Sequence, residues 1–208
     1  MCKLIDYLTG KRYELRVGLQ IYIKSPLHKD SAFRAVDEAL AALRWIEAHS
    51  KFAVSHEMWC SVRDINRPLL HPWDKDMEKP EGDIHIAALV WPCLEPELAG
   101  ATWGGDVTTW GIPVIAVPYS CRWGSWRPYQ GFDTWFQQAF VHEFINAIRC
   151  YLKMRGLLLK TTYKADAEEF GGWIDCAHYK DYAQCYAHVL KLLNGEMYKS
   201  FEKLPGTA

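Results

Sequence analysis

A histidine, a glutamate and an asparagine lie close together in the stretch VHEFINAI, as His142, Glu143 and Asn146. Side chains four positions apart share one face of a helix, so His142 and Asn146 are expected on the same side. An imidazole binds transition metals, and a neighbouring carboxylate can take a proton from a metal-bound water. Polar side chains at this spacing could therefore hold a metal ion or line a cavity. The competing interpretation is a hydrogen-bonded histidine in an ordinary core helix.

The helix that carries these residues has clearly marked ends. Thr134 followed by Gln137 fits the capping-box pattern, and Gly156 stands where a C′ glycine is expected. Most of the side chains between them are apolar, which predicts a helix buried on several sides. Buried polar groups need partners, so its polar seam should line a cavity, a metal site or a hydrogen-bond network. The seam consists of Gln138, His142, Asn146 and Arg149.

Hydrophobic periodicity predicts the elements that position this helix. Strict alternation indicates a half-buried strand from Leu15 to Ile23, and a helix capped by Ser31 follows it. Residues 52–62 are expected to form a strand parallel to the first. The stretch DIHIAALVW predicts a third strand, and the prolines in IPVIAVP favour a sheet-edge position for a strand from Ile112 to Val117.

Two further segments complete the expected architecture. The stretch RPLLHPWDKDMEKPEGD is rich in proline and charge, which predicts a surface loop. A last helix is expected from about Cys176 to Asn194, with Asp175 as its cap and Gly195 at its end.

Composition limits the class of protein. The chain has 208 residues, half of them hydrophobic, which predicts one globular domain over residues 1–208. A formal net charge of -1 gives no electrostatic argument for nucleic acid, and no apolar run is long enough to span a membrane. Seven cysteines without a C-x-x-C pair, and a start without a signal-peptide pattern, predict a reduced, cytoplasmic protein.

The stretch VHEFINAI resembles the H-E-x-x-H signature of the zincin metallopeptidases, with Asn146 in place of the second histidine. The resemblance implies Zn²⁺ as cofactor, His142 and Asn146 as metal ligands, and Glu143 as the general base. It also implies a zincin-like α+β fold. In that fold a twisted mixed sheet has an antiparallel edge strand before the active-site helix, together with a backing helix and a C-terminal helix. The edge strand would bind an extended peptide substrate by strand addition.

The resemblance further implies a third metal ligand after the helix. The stretch GGWIDCAHY is similar to the G-T-x-D motif of the aspzincins, with Trp173 in the threonine position, and makes Asp175 the first candidate. His178 is the second candidate, and an N-cap role remains the alternative for Asp175. Carboxylates similar in position to the downstream ligand of gluzincins are Asp166, Glu168 and Glu169.

Three functions follow from these patterns. The first is a peptidase that hydrolyses peptide bonds with a metal-activated water, in which Tyr179 or Tyr182 donates to the oxyanion. The second is a catalytically inactive relative that binds a peptide or protein partner in an aromatic-lined cleft, because an amide replaces a zinc-binding imidazole at Asn146. The third is a carbohydrate- or ligand-binding domain built on the tryptophan-rich loops, since six of the ten tryptophans fall between Trp91 and Trp135.

Overall fold

A computed structural model describes residues 12–23, 29–63, 65, 67, 69–75, 77–93, 100–119, 131–157 and 182–202. The described elements are β1 (Tyr13–Ile23), α1 (Lys29–His49), β2 (Phe52–Val62), β3 (Ile86–Pro92), β4 (Ala101–Trp103), β5 (Val114–Tyr119), α2 (Trp135–Met154) and α3 (Tyr182–Glu202). The strands form one sheet in the order β2-β1-β3-β5-β4. Strand β4 runs antiparallel to β5, and the other neighbouring strands are parallel. The α+β class with a mixed sheet is therefore confirmed.

Strands β1 and β2 form the parallel pair that the sequence predicts. Their register runs from Tyr13 opposite Phe52 to Ile23 opposite Val62, with α1 as the crossover. Helix α1 begins at Lys29, so the prediction of Ser31 as its N-cap is wrong.

Strand β1 is buried on both faces, which corrects the expectation of a half-buried strand. Helices cover one face, and the segment predicted as a surface loop packs on the other. In that segment Leu70 is buried with Tyr22 and Trp91 in a second apolar cluster, and Leu69 and Met77 pack against it. The backbone N–H of Glu78 donates to the Tyr22 hydroxyl, so the loop also satisfies a polar group of the sheet. Apolar side chains within a charged segment account for this packing.

The edge strand differs from the prediction. Residues 112–117, expected at the edge, belong mainly to β5, which lies between β3 and β4. The edge is β4, which lies in the glycine- and tryptophan-rich connection. Pro118 is tolerated in an inner strand because β4 pairs only as far as Ala116, so no N–H is required from Pro118 on that side.

Helix α2 has the ends that the sequence predicts. The Thr134 hydroxyl oxygen accepts the backbone N–H of Gln137 at 3.2 Å, and the same hydroxyl donates to Oε2 of Glu38 on α1 at 2.6 Å. Gly156 has φ +67°, the left-handed conformation of a C′ glycine. The helix is therefore held at its start both by its own cap and by a bond to α1.

Helix α3 continues past the predicted end, because Gly195 lies inside it. Its predicted start and cap at residues 175 and 176 lie outside the described residues. Across the described ranges, none of the helices combines the length and the apolar character that crossing a bilayer requires.

Candidate functional site

The polar residues of α2 lie between the edge strand β4 and the C-terminal helix α3. Successive residues of an α-helix are rotated by about 100°, so His142 and Glu143 face different neighbours. Glu143 contacts β4, and His142 contacts α3. The two side chains that a hydrolytic site would use together are therefore engaged on different sides of the helix.

Glu143 is bonded to the edge strand through Thr102. The Thr102 hydroxyl lies 2.5 Å from Oε2 of Glu143 and 3.0 Å from its backbone carbonyl oxygen. Gly100 makes this close approach possible, because a Cβ at that position would lie 2.7 Å from Cγ of Glu143. Asn146 hydrogen-bonds the same carboxyl group through its side chain. Donors from both β4 and α2 thus hold the carboxyl of Glu143.

The electrostatics of Glu143 follow from its position. Burial raises the pKa of its carboxyl group, and the hydrogen bonds from Thr102 and Asn146 oppose that rise. The effect of burial on the pKa is the larger one, because loss of hydration destabilises the charged carboxylate by more than two neutral hydrogen-bond donors stabilise it.

His142 is paired with Tyr186 of α3. Its Nδ1 lies 3.1 Å from the Tyr186 hydroxyl, and the two rings meet edge to face with centroids 5.8 Å apart. Burial lowers the pKa of His142 to about 4, so its imidazole is neutral at pH 7. Tyr182, one turn earlier on α3, is half-buried with its ring centroid 6.1 Å from that of Tyr186.

Three aromatic side chains meet beside β4, on the face of the sheet away from the helices. Trp103 of β4 lies 5.4 Å from His71 and 6.0 Å from Trp73 between ring centroids, and His71 stacks on Trp73 at 4.9 Å. Trp73 is 52% exposed. We call His71, Trp73 and Trp103 the aromatic trio. It places an exposed apolar surface next to the edge strand.

The described donors do not by themselves form a zinc site. Protein zinc sites take three or four ligands from cysteine, histidine, aspartate and glutamate. Around His142 the described candidates are its own imidazole with Nδ1 already bonded, the Glu143 carboxyl bonded to β4, and the amide of Asn146, while the free Cys150 lies two turns further along α2. Within the described ranges, no three His, Cys, Asp or Glu side chains form a group that could hold a metal ion.

Several predicted site residues lie outside the described residues: Asp166, Glu168, Glu169, Asp175, His178 and Tyr179. The predicted site residues of α2, His142, Glu143 and Asn146, lie close together, but the side chain of Asn146 hydrogen-bonds to the carboxyl group of Glu143.

Sequence reasoning missed Gly100, Thr102 and the aromatic partners of Trp103, because a three-residue strand carries too little periodicity to be recognised. The tyrosines at helical spacing before Tyr186 were the one available signal for the partner of His142.

The cysteines correct one expectation. Cys60, Cys93 and Cys150 are free, whereas Cys185 is disulfide-bonded, with its partner outside the described residues. The prediction of a fully reduced chain is therefore wrong at Cys185. The cytoplasmic location that accompanied it stays a prediction.

Comparisons with known proteins yield slight structural likenesses. No protein-family model matches the chain, and no curated protein matches it. A solved structure described as "Structure of a chaperone-substrate complex" is similar over 66% of this chain, with 12% sequence identity and a TM-score of 0.41. This chain spans 23% of the length of that protein. A likeness of this degree carries no argument about fold or function.

Proposed function

We propose that this chain is a zincin-like domain that binds an extended polypeptide along β4 without hydrolysing it. The observation that carries the proposal is the state of Glu143, whose carboxyl group is held by Thr102 of β4 and by Asn146. In the resemblance to zincins, position 146 supplies a metal ligand and Glu143 accepts a proton from water. In this chain the amide of Asn146 donates to Glu143, so the groups needed for hydrolysis bond to each other.

The backbone of β4 supports binding by strand addition. The carbonyl groups of Pro113 and Tyr119 accept hydrogen bonds from β3 and Cys93, so odd-numbered residues of β5 face β3 and even-numbered ones face β4. Ala101 and Trp103 stand opposite even-numbered residues and bond inward. Thr102 therefore directs its N–H and C=O outward, where an extended chain can pair with them.

The aromatic trio supports contact with the side chains of the bound segment. Strand addition supplies affinity through the backbone, whereas pockets and aromatic surfaces beside the strand supply selectivity. Trp73 is exposed next to Trp103, so a peptide lying along β4 would place alternate side chains against the trio. We expect the bound segments to favour aromatic or aliphatic residues at alternate positions.

Panning a phage-displayed dodecapeptide library against the protein tests the proposal. Enriched peptides are resynthesised with fluorescein, and their binding is followed by fluorescence anisotropy. Two versions of each peptide are compared, one N-methylated at odd-numbered residues and the other at even-numbered residues. One version should lose binding and the other should keep it, because only every second N–H of a strand pairs with a neighbouring edge. Failure to enrich any peptide, or equal binding of both versions, would overturn the proposal.

Two variants at one position separate the backbone from the side chain. Thr102→Pro removes the outward N–H and should weaken peptide binding at least tenfold, which is about 1.4 kcal/mol. Thr102→Val keeps that N–H and removes only the hydroxyl, so it should retain most of the binding. Loss of binding in both variants alike would point to a damaged site.

A metal-dependent peptidase is the second candidate, favoured by the neutral His142 and the raised pKa of Glu143. A neutral imidazole is the form that ligates metal, and a raised carboxyl pKa suits a general base. In this candidate His142, Asn146 and Asp175, with His178 as the alternative to Asp175, would hold Zn²⁺. Bound zinc would supply an activated water. Glu143 would take a proton from that water, and Tyr179 would donate to the oxyanion.

Metal analysis separates the two candidates. A catalytic metal site retains its ion during purification. If the first proposal is right, protein purified without a histidine tag or chelator should therefore carry less than about a tenth of an equivalent of zinc. Stoichiometric zinc, together with peptide cleavage that Glu143→Gln abolishes, would replace the first proposal by the second.

A further inference from the structure

The opposite edge of the sheet is formed by β2, and within the described residues most of the outward backbone groups of that edge have no partner. The Tyr13 N–H donates to the Lys51 carbonyl, and the Arg63 N–H donates to the Ile23 carbonyl. In a parallel ladder this pattern places the inward bonds of β2 on odd-numbered residues. The N–H and C=O groups of its even-numbered residues therefore point away from the sheet.

The start of this outer edge is covered from within the chain. The Phe52 N–H donates to the Ser50 hydroxyl at 3.2 Å, and the Val54 N–H donates to Oε1 of Glu47 at 3.4 Å. For His56, Met58, Cys60 and Val62, no described group outside β2 bonds to the outward backbone. The uncharged part of this edge is the segment from Met58 to Val62.

The side chains of this segment also lack cover. Met58 is 46% exposed and Val62 is 59% exposed, and the thiol of Cys60 is free and exposed. They share the helix face of the sheet with Phe52, which α1 covers at the start of the strand. Natural sheets protect open edges with lysine, proline or a bulge, and residues 58–62 contain no charge and no proline. An uncharged open edge of this kind pairs readily with another strand.

We propose that this edge pairs with β2 of a second copy of the chain, antiparallel, about a two-fold axis at Cys60. In this register Cys60 faces Cys60 of the second copy, and Met58 faces Val62 on the helix face. On the opposite face Glu57 stands across from Arg63 of the second copy. Both cross-strand contacts occur twice, because a two-fold interface is self-complementary.

Charge and apolar matching select this register over its neighbours. Moving the axis by one residue, to position 59 or 61, puts Glu57 opposite Ser61 or Ile65 and Met58 opposite Cys60 or position 64, which loses the ion pairs and the Met58–Val62 pairs. Arg63 already pairs with Glu78 of its own chain, and a guanidinium has enough N–H donors for a second carboxylate. The two sheets would become one continuous ten-stranded sheet.

The interface is narrow, so the dimer should be of moderate affinity. A single pair of short edge strands buries less than the roughly 1,200–2,000 Å² of standard stable interfaces. We therefore expect a dissociation constant on the order of micromolar.

Oxidation of Cys60 reads out the register. Opposite residues in a hydrogen-bonded antiparallel pair have Cα atoms about 5.5 Å apart, within the range of about 4.4–6.8 Å that a disulfide spans. Treatment with diamide at alkaline pH, chosen because burial raises the pKa of the Cys60 thiol, should give a covalent dimer. Cys60→Ser should abolish the cross-link, whereas Cys93→Ser and Cys150→Ser should keep it.

Charge reversal tests the same register without a covalent bond. In the Cys60→Ser background, Glu57→Arg and Arg63→Glu should each weaken self-association at least tenfold by sedimentation equilibrium, because each creates like-charge pairs. Mixing the two variants should restore association, since each copy then meets the opposite charge. A misfolded variant would not be rescued by mixing.

A monomer at about 100 µM, a cross-link that persists without Cys60, or mixing that restores nothing would overturn the proposal. The proposal is independent of peptide binding, because β2 and β4 are the opposite edges of the sheet. The result of the dimer experiments therefore leaves the proposed function of β4 untouched.

Discussion

The Thr102 hydroxyl on β4 and Oε2 of Glu143 on α2 lie 2.5 Å apart, and this contact joins the edge of the sheet to the helix that carries the polar seam. Asn146 bonds to the same carboxyl group from one turn further along α2. The carboxyl is largely buried and its pKa is raised, so its protonation is coupled to folding.

Glu143→Gln should become more stable relative to the wild type as the pH rises. Because the folded-state pKa of Glu143 is raised above its ordinary value, the wild-type fold binds more protons than the unfolded chain above about pH 4.3, the ordinary glutamate pKa. That contribution to stability is present at low pH and is lost as the pH rises through the folded pKa. Glutamine carries no charge at either end of this window, so it should avoid the loss.

Urea unfolding of the wild type and Glu143→Gln at pH 4 and pH 7 measures this difference. The free energy of unfolding of the variant, relative to the wild type, should be higher at pH 7 than at pH 4. An unchanged difference between the two pH values would mean that the carboxyl is not perturbed.

His142→Gln should remove a pH dependence of the opposite sign. The pKa of His142 falls from 6.5 to about 4 in the folded protein, so the unfolded chain binds more protons between these values. The contribution of His142 to the free energy of unfolding is fully present above its unfolded-state pKa of 6.5, and it is lost as the pH falls toward about 4. A difference of about 2.5 pKa units corresponds to about 3 kcal/mol.

Stability measured at pH 7 and pH 4 checks this value. From pH 7 to pH 4 the free energy of unfolding of the wild type should fall by about 3 kcal/mol more than that of His142→Gln. A double-mutant cycle with Tyr186→Phe should show a coupling of about 1 kcal/mol, since the phenol and the imidazole share a hydrogen bond. Equal acid sensitivity of the wild type and His142→Gln would contradict the burial of His142.

Gly100→Ala should destabilise the protein by about 1–3 kcal/mol, because its Cβ would lie 2.7 Å from Cγ of Glu143. Gly195→Ala is the matched control. Gly195 lies inside α3 with no other atom within 4 Å of an added Cβ, so alanine there should stabilise by up to about 1 kcal/mol. Thermal unfolding of both variants gives the comparison. A harmless Gly100→Ala would show that β4 and α2 are not in close contact.

Asn146→His should raise the affinity for zinc, because it places a second imidazole one turn from His142. The increase should exceed the roughly 10–100-fold effect of changes outside the ligand shell. Competition with a chromophoric chelator measures it. Asn146→Ala serves as the control, since it also loses the bond to Glu143 but supplies no ligand. If both variants bind zinc equally, position 146 does not face a metal site.

The sequence alone determined the elements whose signals are local. Thr134 and Gly156 mark the ends of α2 because capping and a left-handed C′ residue depend on a few adjacent residues. The parallel pairing of β1 with β2 followed from periodicity and a helical crossover. The grouping of His142, Glu143 and Asn146 on one helix needed only a spacing of four residues.

Tertiary structure decided the rest, because the deciding contacts join distant parts of the chain. Strand β4 is too short for periodicity and forms only by pairing with β5, and the loop after β2 becomes core only where the sheet has an open face. The same holds at the centre of the site. The spacing of VHEFINAI states which side chains share a helix, whereas Thr102 and Tyr186, each more than 40 residues away, decide what those side chains bond to.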